Sequence, residues 1–354
     1  MDNKKLIIAS RKPLKDLPED LKNNKELALM VVGVNGQALN YLSREIQSDR
    51  EVVLKSIKAF GKSIAYSSFR DDKEMALTAI NTSAKAFISL SERLRSDKEV
   101  ALAAVRKNGT LLEFASEELK SDLEVATIAI QNDGKAFLYA NFKENKQLAL
   151  TATKTYGILL NCINEDLLQD REIVESALKQ SGLALHFVLE PLSLDEDLIL
   201  TAVAQNGLAL QYVHESLRDN INIVKTALAA DKRALQFTSF NNDYDLVMSC
   251  VKKNGASLKY ASPELKANYA IVSAALNQQV GALQFAADIW REDFSLIKRV
   301  LKKHPSNLRY TTERVRNDIG NSNVMDYIEK GILFQKLNET IPYKDITPTT
   351  RRKI

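Results

Sequence analysis

Cysteine is nearly absent: Cys162 and Cys250 are the only two in 354 residues. They permit at most one disulfide and cannot build a four-cysteine zinc site. Histidine is almost as scarce, with His186, His214 and His304, and no His/Cys pair has zinc-like spacing. No run approaches the ~18 apolar residues of a membrane span. The opening MDNKKLIIASRKPL holds only four consecutive apolar residues, Leu6 to Ala9, too few for a secretory signal. A cytoplasmic location is therefore the expectation. An excess of one charge is missing too. Lys+Arg 49 against Asp+Glu 45 leaves +4, too little to argue for a nucleic-acid partner. What remains, 45% apolar and 27% charged, is the composition of a soluble packed protein and too apolar for a disordered one.

What is present in abundance is repetition. With the acidic Glu51 as reference, equivalent positions fall at Glu26, Glu51, Glu74, Glu99, Glu124, Gln147, Glu172, Asp197, Asn222, Asp245, Ala270 and Ser295, spaced by 23 or 25 residues. Two residues before each stands Asp or Asn, a strong helix N-cap. Apolar or small residues follow at +1, +2, +5 and +6, as in Val100, Ala101, Ala104 and Val105, which is helical spacing. Glycine at +10 in eight repeats, for example Gly109, predicts a left-handed C-cap. A second, shorter helix should then bury +13, always large and apolar, and +15, Tyr or Phe in ten repeats. Each unit has one apolar arc and closes a core only by stacking on its neighbours. The expected fold is all-α: an α-solenoid of about twelve helix-pair repeats. Its expected divisions are an N-terminal segment and half-repeat cap (1–23), the repeats (24–319), a capping helix (320–340) with Ile328 and Leu333 on its apolar side, and a disordered tail (341–354).

The pattern at 97–119, Asp-x-Glu-Val-Ala-Leu-Ala-Ala-Val-Arg-Lys-Asn-Gly-x-Leu-Leu-x-Phe-Ala-Ser-Glu-Glu-Leu, resembles a tandem helical-repeat family classed as a domain of unknown function. That family recurs in intracellular bacteria, including secreted effectors of host-associated pathogens, and in some protists. The resemblance implies a helical array and an interaction role, with translocation into a host cell as one route. It carries no catalytic residues. Ala84, Lys232, Val280 and Pro305 depart from it at the glycine position.

Catalytic constellations are sparse. Cys162 and His186 lie one repeat apart, as a thiol and a base would, but Cys162 occupies the aromatic column, where a buried structural cysteine is the better reading. Gly33-Val34-Asn35-Gly36 lacks the strand and lysine of a phosphate loop. Recurrent acidic pairs such as Asp97 with Glu99 serve as caps and first-turn charges. No catalytic residue, cofactor or metal is expected.

The informative surface is the row at +14, which points away from the buried +13 and +16 positions. It is mixed in the first five repeats (Asn40, Ala65, Ile88, Glu113, Leu138) and then polar throughout: Asn161, His186, Gln211, Gln236, Lys259, Gln284 and Arg309. Regularly spaced amides offer donors and acceptors to an extended peptide, and Leu183 and Leu208 are candidate apolar anchors beside them. Plain solvation of an exposed face is the competing explanation. A second stripe, Leu29, Leu54, Leu77, Leu102, Leu150 and Leu200 at +3, reads as internal packing. The expectation is a non-enzymatic scaffold that binds a protein or extended peptide. The alternative, a nucleic-acid-binding helical repeat, is disfavoured by the +4 charge and by the lack of a basic stripe; an enzyme is disfavoured further.

Overall fold

Short carboxylate and amide side chains start the long helices. The computed structural model describes residues 19–303, 305–319 and 324–340. The chain divides into two compact units, 1–205 and 206–354. In the first unit the long helices are α1 (Lys25–Val34), α2 (Arg50–Ala59), α3 (Lys73–Thr82), α4 (Lys98–Val105), α5 (Leu123–Asn132), α6 (Lys146–Thr155), α7 (Arg171–Gln180) and α8 (Glu196–Gln205). In the second they are α9 (Ile221–Ala230), α10 (Tyr244–Lys253), α11 (Tyr269–Gln278), α12 (Phe294–Leu301) and α13 (Val324–Thr340). No strand occurs among the described residues. The capping expectation holds in detail: Asp122 Oδ1 accepts from the N–H groups of Glu124 and Val125 at 3.0 and 3.1 Å.

The second element of each repeat is a 3-10 helix, typified by Gly109–Phe114, and not an α-helix. Its bonds close over three residues, as from Leu111 N–H to Asn108 O at 3.1 Å. Three residues per turn align +10, +13 and +16 on one face, +12 and +15 on a second, and +11 and +14 on a third. The first face is the core: Gly109, Leu112 and Ala115 are buried. On the second, a buried small residue such as Ala136 sits beneath a half-buried ring such as Tyr139. The +15 aromatics are therefore not the fully buried column that α-helical facing suggests. They are half-buried, or exposed in Tyr41 and Tyr212, and in the repeat of Tyr139 the buried ring is Phe137 at +13.

The glycine at +10 also differs from expectation. No described glycine has the positive φ of a left-handed cap. The turn between the two helices is made one residue earlier, by Asn108 in extended backbone (φ −152°, ψ 103°), whose Oδ1 accepts from Thr110 N–H. Glycine is needed for close approach. A Cβ on Gly109 would lie 2.0 Å from the carbonyl oxygen of Ala129 in the next long helix. In the second unit a Cβ on Gly207 would meet Ala227 O at 2.2 Å. The small residues at +5 are the other half of the same contact. An amide then clasps it: Asn132 Oδ1 accepts from Gly109 N–H at 2.8 Å, and its Nδ2 donates to Arg106 O at 2.9 Å. Gln205 does the same for Gly182 N–H and Gln180 O.

A third inter-repeat device lies at the helix starts of the first unit. Lys98 Nζ reaches Asp122 Oδ2 and Glu124 Oε2 of the next repeat, both at 2.8 Å. Lys25, Arg50, Lys73, Lys146 and Arg171 make the equivalent pairs. At the other end, α13 packs Ile328 into a cluster with Ile297, Leu301, Val315 and Ile319, with Ile332 beside it. Leu333 is 61% exposed, so Ile332 takes the inward place expected of it. The expected N-terminal segment before Glu19 and the tail 341–354 lie outside the described residues.

Two predictions follow from these contacts. At an unstrained exposed site Gly→Ala stabilises slightly; Gly109→Ala should instead destabilise by about 1–3 kcal/mol through overpacking, read as a lower urea midpoint, and an unchanged or raised midpoint would refute the close approach. The second concerns pH. Lys25, Lys98 and Lys146 hold the carboxyls of Asp49, Asp122 and Asp170 below the ordinary range, each helped by backbone N–H groups. A depressed carboxyl contributes stability above its unfolded value, ~3.9, that is lost as pH falls through the folded value. The lysines are raised in turn, Lys25 by Glu51 and Asp49, Lys98 by Asp122 and Glu124 and Lys146 by Asp170 and Glu172, so their contribution is lost as pH rises beyond ~10.4. Asn at 49, 122 and 170 keeps the cap and removes the charge. The triple Asp→Asn variant should show a shallower fall in urea midpoint between pH 5 and ~2 than the parent; an identical acid limb would exclude the pairs as its source.

Candidate functional site

The third face of each 3-10 helix, positions +11 and +14, is the outward ridge, and the expected row lies on it. The two units carry it differently. In the first, Asn161 and His186 are exposed and Leu183 is half-buried. Asn161 Oδ1 accepts from the Cys162 thiol at 2.9 Å, and the His186 ring meets Phe187 edge-on at 4.9 Å. Cys162 is thus half-buried and hydrogen-bonded on the ridge side, not the buried core residue expected from its column. Sequence reasoning missed Ile158, one repeat before Leu183 at +11 and 45% exposed. Its signal was available once the period of three is used, because +11 then shares a face with +14.

In the second unit Gln236, Lys259, Gln284 and Arg309 are exposed, and Gln211 and Leu208 are half-buried. The three glutamines behave alike. Gln211 Nε2 donates to Leu208 O at 3.0 Å, Gln236 to Arg233 O at 3.0 Å and Gln284 to Gly281 O at 2.9 Å. Each amide folds back over its own turn, which restrains the side chain, and the bond uses one N–H of the amide's two and neither lone pair of Oε1. The two cations lie against the neighbouring ring: Lys259 Nζ is 5.7 Å from the Tyr260 centroid, and Arg309 Cζ is 4.8 Å from that of Tyr310. The second-unit row is a set of held polar groups at one-repeat spacing.

A shallow groove of about 380 Å³ in the first unit is lined by Leu150, Lys154, Glu172, Glu175, Ser176, Lys179 and Gln180. Lys179 and Glu175 pair across it at 2.5 Å, which lowers the Glu175 carboxyl, so its acid is held ionised by its neighbour. Burial pushes the Lys143 ammonium down, with its nitrogen on the Phe137 ring and donating to Phe137 O. Both are structural pairings. Among the described residues no group of three His, Cys, Asp or Glu side chains is placed to hold a metal ion, and no helix is long and apolar enough to cross a membrane. The leucines at +3 are half-buried, with Leu150 buried.

Stacked helix-pair repeats with an exposed ridge define a tandem helical-repeat protein of the α-solenoid class. Eight successive segments, 12–47, 24–70, 49–95, 72–120, 97–144, 145–192, 195–241 and 243–291, match the family described as Domain of unknown function (DUF4116). Together they cover most of the chain, which therefore belongs to the DUF4116 family. The same column pattern continues beyond the last match through α12. No curated protein matches the chain.

Proposed function

We propose that this chain is a non-enzymatic scaffold or adaptor that binds an extended protein segment along the 3-10 ridge of its second unit. The observation that carries the reading is the trio Gln211, Gln236 and Gln284, each held by the same bond to its own turn, the first two in adjacent repeats and the third two repeats further on. A pre-positioned amide loses less freedom on binding than a free one. The candidate reactive groups have structural uses, Cys162 with Asn161 and the acidic pairs as caps and ion pairs, which supports a binding role over catalysis. The family resemblance to arrays in secreted effectors of host-associated bacteria supports a host protein, or another effector, as the partner.

A hydrogen bond contributes about 0.5–1.5 kcal/mol net, so several amides must act together with an apolar anchor such as Leu208. The test needs a partner, first obtained by affinity capture and mass spectrometry from lysates of a host cell. Replacing Gln211, Gln236 and Gln284 together by alanine should then leave the melting temperature near the parent value. The same variant should bind at least tenfold more weakly, a loss of about 1.4 kcal/mol. Unchanged affinity would remove the ridge from the interface.

A further inference from the structure

The charged rungs of the first unit follow one pattern. Each cap aspartate accepts from backbone N–H groups at Oδ1 and pairs through Oδ2 with the cation that opens the preceding long helix, and the acid two residues on pairs with the same cation. Lys73 with Asp97 and Glu99, both at 2.8 Å, is a second instance. Where Leu123 replaces the cation, the next repeat has Asn145 and Gln147, so no carboxylate is stranded.

The second unit departs from the pattern. Ile221 opens α9 in the place of the cation, yet α10 keeps both acids, Asp243 and Asp245. Asp243 Oδ1 caps Leu246 N–H at 2.8 Å, as in the filled rungs, and both carboxylates are exposed. The same edge carries a row of apolar side chains at the starts of successive helices: Ile221, Tyr244 and Tyr269 are 39%, 43% and 53% exposed. The row's next member, Phe294, is already covered. The Tyr327 ring of α13 lies 5.7 Å from it, and a Cβ on Gly331 would meet it at 2.7 Å. A helix thus occupies one end of this row; Tyr269 meets the Trp290 ring at 5.3 Å on one side and, like Ile221 and Tyr244, keeps an exposed face.

We infer that Ile221, Tyr244 and Tyr269, with Asp243 and Asp245 beside them, form a docking surface for a partner-protein segment presenting a lysine or arginine next to an apolar side chain. The cation completes the rung that Ile221 leaves open. Its methylene stem and the neighbouring apolar side chain cover the tyrosines. Exposed ion pairs contribute little alone, so affinity requires the two features together. This surface is distinct from the 3-10 ridge and does not rest on it.

The test is fluorescence anisotropy of the full chain with a labelled Gly-Ser-Leu-Arg-Leu-Ser-Gly peptide. Two comparison peptides replace Arg by Glu, or both Leu by Ser. The arginine peptide should bind saturably and at least tenfold more tightly than either. Ile221→Lys fills the rung from within the chain and should weaken that binding at least tenfold without lowering the melting temperature. The double change Asp243→Asn and Asp245→Asn, which keeps an amide cap, should do the same. Alanine at Gln211, Gln236 and Gln284 should leave it unchanged. No saturable binding up to about 1 mM, equal binding of the glutamate peptide, parent affinity in either rung variant, or a loss in the glutamine variant would each overturn the proposal.

Discussion

The distance between one repeat's glycine and the next repeat's carbonyl sets the spacing on which the rest of this structure depends. The backbone at Gly109 lies so close to Ala129 O that even a methyl group has no room. Three further features follow from that approach. The +5 position must stay small. The Gly109 N–H, close to the neighbouring helix, needs a partner, and the Asn132 amide supplies it. The segment that begins at the glycine must turn tightly, and a 3-10 helix does so while placing +13 and +16 over the core. Each of the eight repeats with glycine at +10 is thereby fixed by its successor, as stacked repeat proteins require.

With the interior repeated so faithfully, individuality lies on two edges. Along the helix starts, the first unit closes its edge with Lys and Arg rungs, whereas the second carries Ile221, Tyr244 and Tyr269, and among the described residues no cation takes the rung beside Asp243 and Asp245. Along the 3-10 ridge, the second unit presents amides held by their own turns. Neither edge belongs to the buried columns, so residues there can vary between units while the packing is kept. That separation of packing columns from surface rows is the physical basis for reading the chain as a binding scaffold.

Much of this was legible in the sequence, because helix caps and apolar periodicity are local signals. Asp122 and its equivalents mark every helix start, and +1, +2, +5 and +6 mark the buried stripe. What escaped were non-local contacts. A glycine after a helix reads as a left-handed cap; only the neighbouring repeat shows that Gly109 answers a steric demand. The 3-10 geometry escaped because six residues are too few for a periodicity to decide between 3.0 and 3.6. The errors at Tyr139 and Cys162, and the omission of Ile158, all follow from that one difference in period. The rungs escaped because Lys98 and Asp122 sit 24 residues apart, beyond the reach of a within-helix reading. Of the candidate site, the row itself was visible, but the fold-back bonds that hold its glutamines were not.

Glycine at +10 joins two repeats and does not merely end a helix. Hydrogen exchange measured by mass spectrometry on Gly109→Ala and the parent separates these roles. If the glycine serves close approach, protection should fall in the Gly109–Phe114 segment and in α5, the helix that carries Ala129, while distant repeats keep theirs. Loss confined to the last turn of α4, as expected for a damaged cap, or no change in α5, would contradict the account.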